Sequence, residues 1–370
     1  MKSTQINVAI FNDTNTNTTR HYGCSLVMLN LVNELKKHNL NPVFFWPVGV
    51  DWRDKKKLIK SRCNYDAIIV NGEGSIHHNR KKEKPNYLAE IANFAKSELK
   101  IPAYLINSSI YENSDALYEK LKRYEKIFVR ESTSYETLKS AGIESVIVPD
   151  LTFATSVNDE KVTDNDIPYL ITDSTFNTLR SSLAELSATY GWDFESMKVN
   201  KENSLKRFFV KVEKRAKKRN MNILGKIFSI PAKIFNSIDK IRENNRELYS
   251  SGYRQLVDHD YFVRKIKSKS FVLTGRFHTV TLCIKTGTPF VAIESNTPKI
   301  SGMLNDVFQS DKRLIQENEI EKFMRNIPSD YLTFCENEND AISRYNSEAT
   351  AKIKRMFDWI ASDIRSKKSF

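Results

Sequence analysis

The chain has 370 residues, more than the roughly 250–300 at which a single hydrophobic core stops growing, so two domains are expected. The start of the sequence lacks the long apolar run of a signal peptide or membrane span, which predicts a cytoplasmic protein. The cysteines are too few and too irregularly spaced for a disulfide scaffold or structural zinc site. We therefore expect free thiols at Cys24, Cys63, Cys283 and Cys335.

The first part of the chain alternates short apolar runs with helical patterns. The predicted strands are INVAIF (6–11), PVFFW (42–46), DAIIVN (66–71), AYLINS (103–108), KIFVR (126–130) and SVIVPD (145–150). The predicted helices lie near 25–37, 87–99, 116–124 and 132–140. Apolar strands that are each followed by a helix indicate a parallel sheet covered on both faces. Ligands of such sheets bind at the carboxyl ends of the strands.

The acidic stretch NDEKVTDND (158–166) predicts an interdomain linker, and a second series of the same kind follows it. Its strands are predicted at 168–173, 270–275 and 289–294, and its helices at 177–190, 279–285 and 300–307. Apolar residues from Ile342 to Ile364 predict a last amphipathic helix. We predict an α/β fold of two Rossmann-like domains facing across a cleft, which is GT-B-like. Residues 1–157 form the acceptor side, 167–340 the donor side, and 341–370 pack back on the first domain.

The formal net charge of +13 is concentrated in 201–246, which holds 14 Lys and Arg against four acidic residues. Two amphipathic helical patterns there predict a helical insertion in the second domain. Basic amphipathic helices suit an anionic membrane surface, so we expect peripheral binding at the inner face of the cell membrane. The alternative is a hairpin packed on the second domain with a solvated charged face. Aromatic residues interleaved with basic ones in a β-rich stretch are absent, so no nucleic-acid partner is predicted.

The predicted strand DAIIVN runs into the glycine-rich stretch NGEGS at 71–75. Glycines let a backbone come close to a ligand, and Glu73 stands where a general base belongs. The alternative is a tight turn with a surface glutamate. His77 and His78 follow, and adjacent residues cannot both face one site from a regular helix, so at most one is functional. We assign Asn71 and His77 to acceptor binding.

Other candidates lie at strand ends of the first domain. Asp13 is a second candidate base and His21 a candidate acceptor-binding residue, before a helix whose N-terminus near Ser25 could hold an anion. A solvated loop with a helix cap is the alternative. Arg130 either reaches the cleft or forms a structural ion pair. Asp150 ends the next strand, where it could simply cap the chain.

The second domain carries Arg276 and His278 where a buried strand meets a helix, in GRFHTV. A guanidinium, an imidazole and free helix N–H groups at one point form an anion site. An Arg-x-His triplet by itself is more often structural, but Lys299 after the next strand brings a third cation. This set favours a small, highly charged donor. No metal is predicted, because no His, Asp and Glu residues have ligand spacing.

Four stretches in this order resemble the polysaccharide pyruvyl transferase family: HYG before the first helix, IIVNGEGS, VRESTSYETLKSAGI with VPDLTF, and GRFHTVTLCIKTGTPFVAI with PKISGMLNDV. The resemblance ends near Val307 and excludes 201–246. It implies a GT-B-like fold and transfer of the enolpyruvyl unit of phosphoenolpyruvate, a donor substrate rather than a cofactor, onto two sugar hydroxyls. The product is a pyruvyl ketal. By the same resemblance, Arg276 and His278 occupy the family's Arg-x-His donor motif, and Arg130 its strand-end arginine.

Glu73 is an added carboxylate, because family members often carry a run of glycines there. We expect Glu73, His278 and Asp13 to be catalytic, and the donor to bind a second set: Arg276, Arg130 and Lys299. The acceptor is expected to be a sugar of a surface polysaccharide or of its lipid-linked precursor. The alternatives are a GT-B glycosyltransferase that uses a nucleotide-activated sugar and a non-catalytic membrane-bound scaffold.

Overall fold

A computed structural model describes residues 5–17, 19–155, 167–199 and 255–368. The predicted linker at 158–166 and the predicted basic insertion at 201–246 lie outside the described residues. In the part of the chain that is described, no helix is long and apolar enough to cross a membrane.

The first domain is built on a six-stranded sheet in the order β2-β1-β3-β4-β5-β6, and all its neighbouring strands are parallel. Its strands are β1 (Ile6–Asp13), β2 (Leu40–Pro47), β3 (Ala67–His77), β4 (Ala103–Tyr111), β5 (Lys126–Val129) and β6 (Val146–Ile147). Its helices are α1 (Tyr22–Lys37), α2 (Lys56–Ser61), α3 (Lys84–Phe94), α4 (Asp115–Leu121) and α5 (Ser132–Ser140). The carboxyl ends of all six strands therefore lie at one edge.

The second domain has five parallel strands in the order β11-β10-β9-β7-β8. They are β7 (Tyr169–Ser174), β8 (Asp193–Glu195), β9 (Phe271–Gly275), β10 (Phe290–Ile293) and β11 (Leu314–Ile315). The helices are α6 (Asn177–Tyr190), α7 (His259–Lys267), α8 (Phe277–Thr286), α9 (Lys299–Phe308), α10 (Ile320–Arg325) and α11 (Glu336–Lys368). Two parallel α/β sheets confirm the predicted fold class.

The sequence analysis did not predict strands β8 and β11 or helices α2, α7 and α10, and it predicted β6 to run to residue 150 where the strand ends at Ile147. Two further differences concern β3 and the start of α1. Strand β3 continues through the glycine-rich stretch as far as His77, where a turn was the alternative. Glu73 takes a left-handed φ of +41°, and the pairing with β4 shifts register between Glu73 and Ile76, as in a β-bulge. Helix α1 begins at Tyr22 with His21 as its N-cap, so the predicted helix start near Ser25 is wrong by three residues.

The two domains share one core. Buried side chains of α1, α8 and α11 belong to a single hydrophobic cluster, among them Leu31, Ile284 and Phe357. Helix α11 also reaches the first sheet, where the Tyr104 hydroxyl donates to Asp363 at 2.6 Å. The long last helix therefore fastens the second domain to the first.

Candidate active site

Three donors hold the carboxylate of Glu73 at the bulge in β3. The Asn71 amide donates to Oε1 at 3.1 Å, the Thr14 hydroxyl donates to the same oxygen, and the Cys24 thiol donates to Oε2 at 3.1 Å. Glu73 is only 4% exposed. Its carboxylate is therefore fixed in direction by neighbours from β3, the loop after β1, and α1.

Asn71 lies beneath Glu73 and is fully buried. Its amide nitrogen also lies 3.2 Å from the Thr14 hydroxyl, and its oxygen accepts from Asn107 at 3.4 Å. These contacts make Asn71 a support for Glu73. Because no atom of Asn71 is exposed, the predicted contact between Asn71 and an acceptor sugar is not available.

Asp13 ends β1 and is buried near the carboxylate of Glu73. Burial raises the pKa of Asp13 to about 7, although a hydrogen bond from the Asn15 N–H opposes this rise and the charge of Glu73 adds to it. A carboxyl group with a pKa near neutrality both gives and takes protons at neutral pH.

Arg130 follows β5 and is 1% exposed. Its Nε donates to Ser109 at 2.8 Å, its Nη1 donates to Asp150 at 2.8 Å, and its guanidinium lies 4.0 Å from the centre of the Phe277 ring. Burial opposes ionisation of Asp150, but the charge of Arg130, the Thr152 N–H hydrogen bond and the hydrogen bond from Arg130 lower the pKa of that carboxyl. The predicted structural ion pair of Arg130 is therefore present.

Arg276 is held by a carboxylate that the sequence pattern does not single out. Its Nε and Nη2 donate to the two oxygens of Asp173, at 2.8 and 2.6 Å. Asp173 lies near the end of β7, is fully buried, and also accepts from the Met197 N–H at 3.1 Å. The only sequence signal for it is an acid at the end of the predicted strand PYLITD. This pair orients the guanidinium.

His278 sits in the first turn of α8, directly against the start of α1. A Cβ added to Gly23 would lie 2.4 Å from the Cβ of His278, so only glycine permits this approach. The centres of the His21 and His278 rings are 5.5 Å apart. Nε2 of His278 has no hydrogen-bond partner in the described residues, and Asp150 lies 3.8 Å away. Burial lowers the pKa of His278 against the opposing charges of Asp150 and Glu73, which favours a neutral imidazole.

Lys299 opens α9 and is 7% exposed. Its Nζ donates to Asn296 at 2.9 Å, and burial, followed by the charge of Arg130, lowers the pKa of Lys299 to about 7. Nε2 of His77 is 3.4 Å from the Asn296 amide nitrogen, so His77 of the first domain lies beside Lys299 of the second. Burial, Lys82 and Lys299 lower the pKa of His77 to about 3, which keeps it neutral.

Gly74 marks where this centre is accessible from solvent, because it is exposed while its neighbour Glu73 is buried. A Cβ on Gly74 would lie 3.7 Å from both Arg130 Nη2 and Lys299 Nζ. The two cations come from different domains and meet over a residue without a side chain. This geometry provides an anion-binding position that both domains complete.

The facing strand ends thus bring most predicted site residues together. Burial lowers the pKa of His21, and the charges of Arg276, Lys198 and Lys299 lower it further, which places His21 in the same centre. Cys24, which binds Glu73, is a member of the centre that its sequence context does not reveal.

Two Rossmann-like domains whose strand ends meet at a cationic centre define a GT-B-like enzyme. The chain belongs to the polysaccharide pyruvyl transferase family, whose model matches residues 21–297. It is therefore a transferase that acts on a sugar or glycan. Comparison with curated proteins gave no match.

Solved structures with the same architecture include a putative UDP-N-acetylglucosamine 2-epimerase from Listeria monocytogenes, with a TM-score of 0.55 and 11% identity over 98% of this chain and 97% of that chain. S. aureus MnaA in a structure with UDP has a TM-score of 0.51 and 12% identity over 92% of this chain and 94% of that chain. At such low identities the similarity concerns the fold alone, and it confirms the predicted GT-B-like architecture.

Proposed function

We propose that this transferase moves the enolpyruvyl unit of phosphoenolpyruvate onto two hydroxyls of a sugar in a surface polysaccharide or its lipid-linked precursor. The observation that carries the proposal is the pair of cations at Gly74, with Arg130 Nη2 and Lys299 Nζ each 3.7 Å from the position of a Cβ there. Phosphoenolpyruvate is small and carries a carboxylate and a phosphate, so it matches closely spaced cations from two domains.

Carboxylates of the protein orient both arginines that are proposed to bind the donor. Arg276 is fixed by both oxygens of Asp173, and Arg130 is fixed by Asp150 and Ser109. Charges fixed in a buried site stabilise developing negative charge without reorganising during the reaction. In the proposed mechanism these cations hold the carboxylate and the phosphate, and they stabilise the phosphate as it leaves.

Ketal formation requires a proton at C3 of the donor and two sugar oxygens at C2. The first hydroxyl adds to C2 while C3 is protonated, and the second hydroxyl oxygen then replaces phosphate at C2. Of the two hydroxyl protons released, one balances the proton gained at C3 and the other leaves with phosphate. Glu73 is proposed to take the proton of the attacking hydroxyl, and Asp13, with a pKa of about 7, to act as the second proton carrier.

The acceptor is proposed to lie on the side of the first domain, near the neutral imidazoles of His21 and His77. Both are held neutral chiefly by burial, and both lie beside cations of the second domain. A neutral imidazole can donate to or accept from a sugar hydroxyl without adding charge. His278, also neutral, is proposed to contact the reacting atoms between donor and acceptor.

Thermal unfolding with candidate ligands tests the donor. Phosphoenolpyruvate should raise the Tm of the wild type, since a ligand at 100 times its Kd stabilises by about 2.7 kcal/mol. Lys299→Met should lose this response, and Lys139→Met, which changes an exposed lysine of α5, should keep it. A rise in Tm with UDP or CMP and none with phosphoenolpyruvate would indicate a nucleotide-sugar glycosyltransferase instead. No response to any of these ligands would favour a scaffold.

We also propose that residues 201–246, with 14 basic and four acidic side chains, bring the enzyme to the membrane face where a lipid-linked acceptor resides. Sedimentation with lipid vesicles tests this. Binding to phosphatidylglycerol vesicles, absent with phosphatidylcholine and weakened by salt, is the expected result. Equal binding to both vesicle types, or binding to neither, would contradict it.

A further inference from the structure

One aromatic side chain is exposed at the edge of the second sheet where the carboxyl ends of the strands lie. Phe176 follows β7 and caps the start of α6, and it is 43% exposed, the largest fraction among the large apolar residues that the structure describes. Single exposed apolar residues are common on proteins, so exposure by itself assigns no role. The neighbours of Phe176 have to decide what it does.

A row of polar side chains connects Phe176 to the anion-binding position. Thr175 precedes Phe176, and its hydroxyl lies 3.3 Å from the Ser295 hydroxyl. Ser295 donates to Oδ1 of Asn296 at 3.2 Å, and the same oxygen accepts from Lys299 at 2.9 Å. Three hydrogen-bond lengths therefore separate Thr175 from the Lys299 ammonium.

The same row meets the proposed acceptor position. The Asn296 amide nitrogen lies 3.4 Å from Nε2 of His77, which the first domain supplies to that position. A glycan whose reacting sugar lies at His77 can therefore extend across Asn296 toward Phe176. Hydroxyl and amide groups orient a sugar through hydrogen bonds, and an aromatic ring offers an apolar surface to the C–H face of the sugar.

The backbone at Phe176 is fixed from within the second domain. Its N–H donates to the Ser174 hydroxyl at 3.2 Å. The Ser174 side chain packs directly on Gly275, where an added Cβ would approach it within 2.7 Å. Gly275 precedes Arg276, so the position of Phe176 is tied to that of the proposed donor site.

We propose that Phe176, Thr175 and Ser295 form a subsite for the sugar unit next to the one that receives the pyruvyl group. The enzyme then recognises its acceptor through two adjacent sugar units, and an oligosaccharide binds better than a single sugar. This inference rests on the proposed function, because it requires a glycan acceptor at His77. It extends that function by a second binding position on the other domain.

A nucleobase is the other flat ligand that stacks on an aromatic ring. A nucleotide also brings phosphate groups, and beside Ser295 a carboxylate opposes them. Glu294 accepts the N–H groups of Ile300 and Ser301, at 3.3 and 3.0 Å, and so occupies donors at the start of α9 that would otherwise bind an anion. A neutral sugar avoids this repulsion, and UDP is therefore the contrasting ligand in the test.

A glycan array of mono- to tetrasaccharides, probed with the full-length protein, identifies the oligosaccharide that binds best. Calorimetry then compares its Kd with the Kd values of its component monosaccharides. The oligosaccharide should bind about tenfold more tightly, since covering about 60 Å² of apolar surface is worth about that factor. Phe176→Ala should remove this advantage, and Phe176→Tyr should keep it. Trp359→Ala should also keep it, because this similarly exposed aromatic residue lies on α11 against Tyr104.

Three results would overturn the subsite. They are an array without a bound oligosaccharide, equal affinities for oligosaccharide and monosaccharides, and an advantage that persists in a Phe176→Ala variant shown to be folded by circular dichroism. Tighter binding of UDP than of every oligosaccharide, lost in Phe176→Ala, would assign the ring to a nucleobase instead. The rise in Tm with phosphoenolpyruvate should be the same in Phe176→Ala and the wild type. A missing rise in the wild type would therefore count against the donor assignment and leave the sugar comparison intact.

Discussion

Arg276 and Asp173 form a two-point ion pair between the ends of β9 and β7, with N–O distances of 2.8 and 2.6 Å. Asp173 is fully buried, and although Arg180 Nε also lies 3.3 Å from one of its oxygens, only Arg276 meets both. Burial by itself would raise the pKa of Asp173, but the hydrogen bonds and charge of Arg276 lower it. The residue proposed to bind donor is thus also part of the packing of the second domain.

Arg276→Ala is therefore expected to destabilise the fold as well as to remove donor binding. Leaving one partner of a buried pair uncompensated costs about 3–5 kcal/mol. Urea unfolding of the variant should show a loss of that size, and Arg276→Ala combined with Asp173→Ala should be less destabilised than the two single losses added together. A fully additive double variant would show that the two side chains are energetically independent.

Gly74→Ala is expected to weaken donor binding without changing the stability of the fold. A Cβ at this position has only ordinary contacts, 3.7 Å from Arg130 and Lys299, so the unfolding free energy should change by less than about 0.5 kcal/mol. The added methyl group occupies the space over which the two cations meet. The stabilisation by phosphoenolpyruvate in a thermal scan should therefore fall, and an unchanged response would place the donor elsewhere.

Gly23→Ala is the contrasting change. The new Cβ would meet His278 at 2.4 Å, so α1 and α8 have to move apart. A cost of about 1–3 kcal/mol is expected for such overpacking, measured by urea unfolding. Gly74→Ala serves as the matched control, because it adds the same methyl group without a clash. Equal stability of the two variants would contradict the close contact between the helices.

Most of the strands, their carboxyl ends and the placement of Arg276, His278 and Lys299 beside them were accessible from the sequence, because each depends on a local pattern. Arg276 and His278 follow an apolar run, and that position at a strand end is readable from neighbouring residues. The Asp173 partner, the contact of Gly23 with His278 and the cysteine beside Glu73 were not accessible. Each of these joins elements far apart in the chain, and its geometry depends on how the two domains pack.

Donor affinity should fall as the pH rises through about 7, because Lys299 loses its charge there. Burial and Arg130 lower the pKa of Lys299 from 10.5 to about 7, so the ammonium that binds the donor is present below that pH and absent above it. The Kd for phosphoenolpyruvate, measured by calorimetry, should rise up to about tenfold per pH unit above 7 if the neutral amine contributes no binding. Lys299→Arg keeps its charge throughout this range and should flatten the profile. A wild-type Kd that stays constant from pH 6 to 9 would remove Lys299 from the donor site.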